Sequence, residues 1–222
     1  MTMIDLHIHT NCSDGGYSIQ QTIKNHYARS FRIISITDHN SVVSREQHDL
    51  IKKSWPDICF IHGIEMTVKY QQQYIHTLSY FKQLIPIEIE NHIKDYLIAD
   101  AIMLRRSEKK PSIFSHKHGV KDNIHEMIEL IHHAGGICIL AHPYIYKDFL
   151  DELIDLHDGI ECIHPLNDIE FIDELIELAM TRKKYCSAGS DFHDHYLDME
   201  KHIYFCSKYI EVLQPLVCYL TC

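Results

Sequence analysis

Short apolar runs rich in β-branched residues alternate with amphipathic helical stretches through almost the whole chain, and this rhythm restricts the fold more than any other feature. The candidate strands are residues 3–7, 32–37, 58–64, 74–80, 136–141, 159–163 and 184–188; the candidate helices are 18–30, 44–54, 85–108, 122–134, 147–156 and 168–182. Strands and helices alternating through most of the chain predict an α/β fold with a parallel sheet or barrel, because a parallel connection needs a crossover helix. Ser18 with Gln21 three residues on marks a helix start, and Ala134-Gly135-Gly136 marks a helix stop. Pro111 ends the helix before it, and the polar, basic stretch 109–121 reads as a loop. With 222 residues the chain suits one domain, 1–222.

Several classes are excluded early. The longest apolar stretches, 136–140 and 216–220, fall far short of the roughly 20 residues that span a bilayer. The opening Met-Thr-Met-Ile-Asp-Leu-His lacks the basic and apolar regions of a secretory signal, so a cytoplasmic location is expected. Eight cysteines at wide spacing, with no Cys-x-x-Cys pair, are expected as free thiols. A formal charge of -10 disfavours a broad grip on nucleic acid, although a local basic patch could hold one phosphate. Histidine is the outlier at 19 residues, far more than a core or a random surface calls for.

The position of these histidines matters more than their number. They fall, with acids, where strands end and loops begin, which is where α/β folds place their chemistry. His7 and His9, two apart on a strand, face the same side and can present both imidazoles to one ion. Asp14 follows in a Ser-Asp-Gly-Gly turn that can swing a carboxylate over the same face. Apolar runs then lead into Asp38-His39, into Glu65, into His142 and into Asp191-Phe192-His193. Such groups packed together would repel and desolvate one another unless cations compensate them. Mixed imidazole and carboxylate, with no well-placed thiolate, suits Zn, Mn or Fe.

The ordered set His7-x-His9, Asp14, Thr37-Asp38-His39, Gly63-Ile64-Glu65, His76, Ala141-His142-Pro143 and Asp191-x-His193 resembles the PHP (polymerase and histidinol phosphatase) superfamily. Within it, Asp-Leu-His-x-His-Thr-x-x-Ser-Asp-Gly, Thr-Asp-His and His-x-Leu-x-Tyr look most like the stand-alone phosphoesterases that act on nucleotides. The resemblance implies a distorted (β/α)7 barrel in which nine residues hold two to three divalent ions. It implies one ion on His7, His9, Glu65 and Asp191, with Glu65 bridging to a second on His76 and His142. Asp14, His39 and His193 would take the third. His76, early in its strand, is assigned by the resemblance alone. Where relatives often carry Tyr-Pro-x-His, this chain reads His164-Pro165-Leu166-Asn167, and the segment between His142 and Gly159 is short.

The implied chemistry is hydrolysis of a small phosphate ester, with water activated on the ions as nucleophile. Histidinol phosphatase and an exonuclease on short oligonucleotides are the alternatives within the family, and a non-catalytic metal-binding accessory module is the alternative outside enzymes. An amidohydrolase barrel also opens with His-x-His, but no lysine stands at a spacing that would make it a carboxylated bridge. Arg105, Arg106, Lys117 and His164 are the candidates for contact with the substrate phosphate. A second His-x-His, His116 and His118, lies in the polar loop without a strand around it. Tyr17, Tyr80 and Tyr144 stand near the motifs, where packing is their expected use.

Overall fold

The computed structural model describes residues 3–71, 73–87, 89–91, 123–194 and 196–221. Seven strands form one sheet in chain order: β1 (Met3–Asp5), β2 (Phe31–Ile36), β3 (Cys59–Tyr70), β4 (Gln73–Phe81), β5 (Gly136–Leu140), β6 (Gly159–Ile163) and β7 (Tyr185–Ala188). The helices named here are α1 (Ile19–Ala28), α2 (Arg45–Ser54), α3 (Ile124–His133), α4 (Leu150–Leu156), α5 (Ile169–Thr181) and α6 (Tyr196–Thr221). The side chain of Ser18 caps α1 by accepting from the Gln21 amide, and Ser44 with Gln47 forms a full capping box on α2. Gly135 ends α3 at φ +77°, a conformation that glycine adopts without strain.

The expected parallel sheet is interrupted at β4. Strands β1 to β3 and β5 to β7 pair in parallel, but β4 runs antiparallel to both β3 and β5. Tyr70 pairs with Gln73 across a tight reversal, so β3 and β4 make a long antiparallel hairpin within a sheet expected to be parallel. Beyond β4, the expected helix 85–108 and loop 109–121 fall mostly or wholly outside the described residues.

The sheet is not closed by a ladder. Its two edges meet just past β1 and β7, at an isolated parallel bridge between Ile8 and Phe192. There Leu6 N–H donates to Ala188 O, His9 N–H to Phe192 O and Asp191 N–H to His7 O. The α/β class and the seven strands match the sequence reading. β5 and β6 are buried at every residue, as expected for strands covered on both faces.

The sequence reading placed no element at α6. Its helical period is broken at Tyr209 (φ -114°, ψ 18°) and it carries Pro215, both of which obscure the pattern. Met199, His202, Phe205, Cys206, Leu213, Leu216 and Leu220 form its buried side, and the helix packs on β7, β1 and β6. The seven described cysteines are unpaired. Among the described residues, no helix is long and apolar enough to cross a membrane.

Candidate metal centre

Glu65 sits in the middle of a crowd of imidazoles because β3 outlasts β2. Their pairing stops at Ile36 and His62, and Glu65, three residues on, emerges where β2 has already ended. The loop after β2 then folds over it, with a bridge between His39 and Glu65 and the Asn40 amide on Glu65 O at 2.8 Å. The Glu65 carboxylate is fully buried. Its Oε2 lies 3.4 Å from His7 Nε2, 3.1 Å from His9 Nε2 and 3.1 Å from His39 Nδ1. Its Oε1 lies 3.0 Å from both His76 Nδ1 and His142 Nε2.

His76 reaches this point through the antiparallel turn. Glu65 pairs with Leu78 and Thr67 with His76, so His76 is the diagonal neighbour of Glu65 on the same face. An antiparallel strand presents its beginning at the edge where parallel strands present their ends. A residue early in β4 therefore joins residues late in the others.

Asp191 completes a tight knot. Its Oδ1 is 3.4 Å from His7 Nε2 and 3.2 Å from His9 Nε2, and the two imidazole nitrogens are 3.1 Å apart. Ligands about 2.1 Å from a zinc-like ion at tetrahedral angles stand about 3.4 Å from one another. These spacings fit such an ion. On the outer side, Asp14 lies between His193 (3.3 Å), His9 Nδ1 (3.5 Å) and His39 (3.7 Å). The donor atoms of His9, Asp14, His39 and His193 form one compact group, those of His7, Glu65 and His142 another, and those of His39, Glu65 and His76 a third. All nine residues named from the sequence are thus brought together, although the groups cut across the implied three sets: His9 joins Asp14, and His39 joins Glu65 and His76.

Donors that converge this closely would normally hydrogen-bond. Glu65 Oε2, His39 Nδ1, His76 Nδ1, His142 Nδ1 and Asp191 Oδ1 are buried and have no hydrogen-bond partner. Buried polar atoms left unpaired are costly, so a convergent set of them fits a cationic guest. Two of the residues are held in left-handed backbone, His142 at φ 49° and Asp191 at φ 52°, a local strain of order 1 kcal/mol each that clusters at functional loops.

Electrostatics follow from the same packing. Burial works to hold the His7 imidazole down, but Glu161, Glu65 and Asp191 outweigh it and raise its pKa well above the ordinary value. His9 is likewise raised, to about 9, against its burial and through Asp191 and Glu65. His39 goes the other way, to about 4, because burial dominates and His9 and His76 add to it. Glu65 and Asp191 are held below the usual carboxylate range by the surrounding imidazoles, against their burial.

Three carboxylates support the cluster without belonging to the nine. Glu161, on β6, accepts from His7 Nδ1 at 2.8 Å and from the His142 amide at 3.0 Å, which leaves His7 Nε2 bare toward the centre. A single carboxylate in the apolar strand Gly-Ile-Glu-Cys-Ile was the sign by which it could have been found. Asp38 clamps the loop that carries Asp14, accepting from Thr10 N and Oγ1 at 2.7 Å and from Ser13 Oγ at 2.6 Å. Asp5 holds Ser190, next to Asp191, through its amide at 2.9 Å and hydroxyl at 2.5 Å.

Of the candidate phosphate contacts, His164 stands beside the cluster, 3.7 Å from Asp191 Oδ2. Arg105, Arg106 and Lys117 lie outside the described residues, as do His116 and His118. Asn167 turns away, its side-chain amide donating to Cys162 O. Tyr80 is a core residue whose hydroxyl donates to Leu6 O, and Tyr17 packs on Phe192. Tyr144 leans over His164 with ring centroids 5.4 Å apart.

No family model matches this sequence. No curated protein matches it either. Solved structures match its fold. An amidohydrolase from Chromobacterium violaceum, with bound sulfate and no metal, superposes with a TM-score of 0.66 at 18% identity, covering 86% of this chain and 87% of that one. A protein from Bifidobacterium adolescentis, assigned by prediction as a metal-dependent phosphoesterase, gives 0.67 at 18% identity, covering 86% and 88%. A two-domain protein from Bacteroides vulgatus, containing a predicted PHP-like metal-dependent phosphoesterase, gives 0.53 at 18% identity over 86% of this chain and 52% of that one. At this identity the likeness is one of fold.

Proposed function

We propose that this chain is a PHP-like metal-dependent phosphoesterase that hydrolyses a small phosphomonoester, a nucleotide or a related ester, in the cytoplasm. The observation that carries the reading is the fully buried Glu65 carboxylate ringed by five imidazoles, with unpaired donor atoms converging on it. The nine residues His7, His9, Asp14, His39, Glu65, His76, His142, Asp191 and His193 would hold two to three ions of Zn, Mn or Fe. When bound, such ions activate water and neutralise the charge of a phosphoryl group. The fold it shares with predicted phosphoesterases supports the class, and the bridge between Ile8 and Phe192 supports the distorted barrel of the family.

The chain's own residues supply the rest. Glu161 holds the His7 ring in place and Asp38 holds the Asp14 loop. Asp14 is half-exposed and His39, His76 and His193 are partly exposed, so the ester would enter from their side, over the buried floor of His7 and Glu65. The fold shared with an amidohydrolase gives a second reading, cleavage of an amide. One experiment separates them: strip the metal, restore Mn, Zn or Fe separately, and assay phosphomonoesters, nucleotides, histidinol phosphate, short oligonucleotides and amides. Release of inorganic phosphate in a metal-dependent manner is expected. A folded, metal-loaded protein that cleaved amides but no phosphate ester would overturn the proposal.

A further inference from the structure

His164 follows β6 directly and is held in a turn, where the Asn167 amide donates to His164 O at 3.0 Å and the Asn167 side chain donates to Cys162 O at 3.1 Å. The imidazole is almost wholly buried, nearly perpendicular to the His142 ring (centroids 5.3 Å, 89°) and tilted 33° against the Tyr144 ring. One of its contacts decides what the ring can do. The backbone amide of Leu166 points at His164 Nδ1 from 3.2 Å. A backbone N–H can only donate, so Nδ1 must offer a lone pair, and the proton of the ring sits on Nε2. That Nε2 is buried, has no hydrogen-bond partner, and faces the outer oxygen of Asp191 at 3.7 Å.

Two of the proposed ligands are wired in the opposite sense. His7 Nδ1 meets a carboxylate oxygen of Glu161 at 2.8 Å and His193 Nδ1 meets the carbonyl of Asp191 at 2.9 Å. Each of those rings gives its proton to an acceptor behind it and leaves Nε2 bare for an ion. His164 takes a proton from behind and keeps one in front. A nitrogen that carries a proton cannot ligate, but it can donate.

We propose that His164 is a substrate-binding residue and not a metal ligand: its Nε2–H donates to a phosphoryl oxygen of the ester, or of the phosphate product, held beside Asp191. The proposal rests on the phosphoesterase reading above. A neutral donor suits this position, since it recognises an anionic oxygen without adding positive charge next to bound cations. Tyr144, leaning over the ring, keeps it in the orientation that aims Nε2 inward.

The test uses the zinc-loaded full-length protein and inorganic phosphate. His164→Ala should fold, by circular dichroism, and hold as much zinc as the unsubstituted protein, while its Kd for phosphate rises about 10- to 100-fold, the range for losing a hydrogen bond to a charged group. His164→Gln, whose Nε2 amide can reach a similar place, should recover part of that loss. In the unsubstituted protein, nitrogen-15 spectra of the side chains should show His164 protonated at Nε2 only. Loss of zinc in both variants would make His164 a ligand or a support for Asp191, and unchanged phosphate affinity in His164→Ala would make it neither; each result overturns the proposal. Failure of the phosphoesterase reading itself looks different: the unsubstituted protein would then take up no zinc, or would hold zinc and bind no inorganic phosphate, whatever stands at position 164.

Discussion

Two buried clusters of histidine and carboxylate lie within one chain, and they behave in opposite ways. Behind β1, Asp5 Oδ1 accepts from the Ser190 and His7 amides, and Oδ2 from the Ser190 hydroxyl and His26. His26 places its other nitrogen on Thr22 O at 2.8 Å, and His202 donates to Ile4 O at 2.8 Å. Every one of these groups is paired. Around Glu65 imidazole and carboxylate lie at similar distances, 3.0 to 3.4 Å, yet five buried donor atoms find no hydrogen bond. Crowding of imidazole and carboxylate therefore does not mark a site by itself. Convergence without satisfaction does, because a saturated network is complete and an unsaturated one leaves room for a guest.

The largest effect should come from breaking the saturated cluster. Asp5→Asn removes the charge that Ser190 and His26 are built around, and loss of one partner from a buried charged network costs about 3–5 kcal/mol. Urea unfolding of metal-free protein should register this, and Glu65→Gln should cost the metal-free protein less, because Glu65 Oε2 has no hydrogen bond to lose. Equal losses in the two variants would erase the distinction between the clusters.

Catalysis should sort the same residues in reverse. Glu65→Gln keeps the shape but removes the charge shared by five imidazoles, so turnover should fall by more than about 100-fold and metal content should drop, with circular dichroism unchanged. Glu161→Gln should fall by about 10- to 100-fold, since it acts by orienting His7. A Glu161 variant more damaged in metal binding than the Glu65 variant would move the centre of the site to β6.

How far the sequence revealed this contrast depends on the kind of signal. The strand positions and eight of the nine cluster residues were legible because the polar residues follow apolar runs or sit in the turn just after one, although β3 runs on past Glu65 to Tyr70, beyond the strand end the sequence suggests. His76 was not legible from its spacing, since nothing local announces that β4 runs backward and brings its beginning to that edge. α6 escaped because its period is broken at Tyr209 and it contains Pro215. Glu161, Asp38 and Asp5 were visible as acids but not as supports, because a role that consists of holding another side chain exists only once distant strands have met.

Proton release sharpens the comparison further. In the metal-free protein His9 is raised to about 9 and His7 well above its ordinary value, so both are protonated at neutral pH and must lose a proton to bind an ion. Metal affinity should therefore rise with pH through about 9 and fall on acidification. Calorimetry in buffers of different ionisation enthalpy should report about one to two protons released per chain at pH 7.5, and none would mean that these rings are not ligands.

A smaller effect belongs to His157, buried with Thr77 Oγ1 at 2.9 Å and Leu153 O at 2.7 Å. Burial pushes it down to about 4, against the Leu153 hydrogen bond. The unfolded chain, with a value of about 6.5, takes up the proton first, so this contribution is present above about 6.5 and is lost as pH falls toward 4. It amounts to at most roughly 3.5 kcal/mol. His157→Gln should show a shallower loss of stability than the parent over that window; identical slopes would place the His157 value near 6.5.

The central claim, that the unsatisfied cluster is a divalent-metal site and the saturated one is not, is tested most directly by elemental analysis of gently purified protein and its variants. Two to three divalent ions per chain are expected, with His7→Ala and His142→Ala reduced and His26→Ala unchanged per folded chain. A folded parent protein with a ratio well below one, both as purified and after incubation with Zn, Mn or Fe, would contradict it.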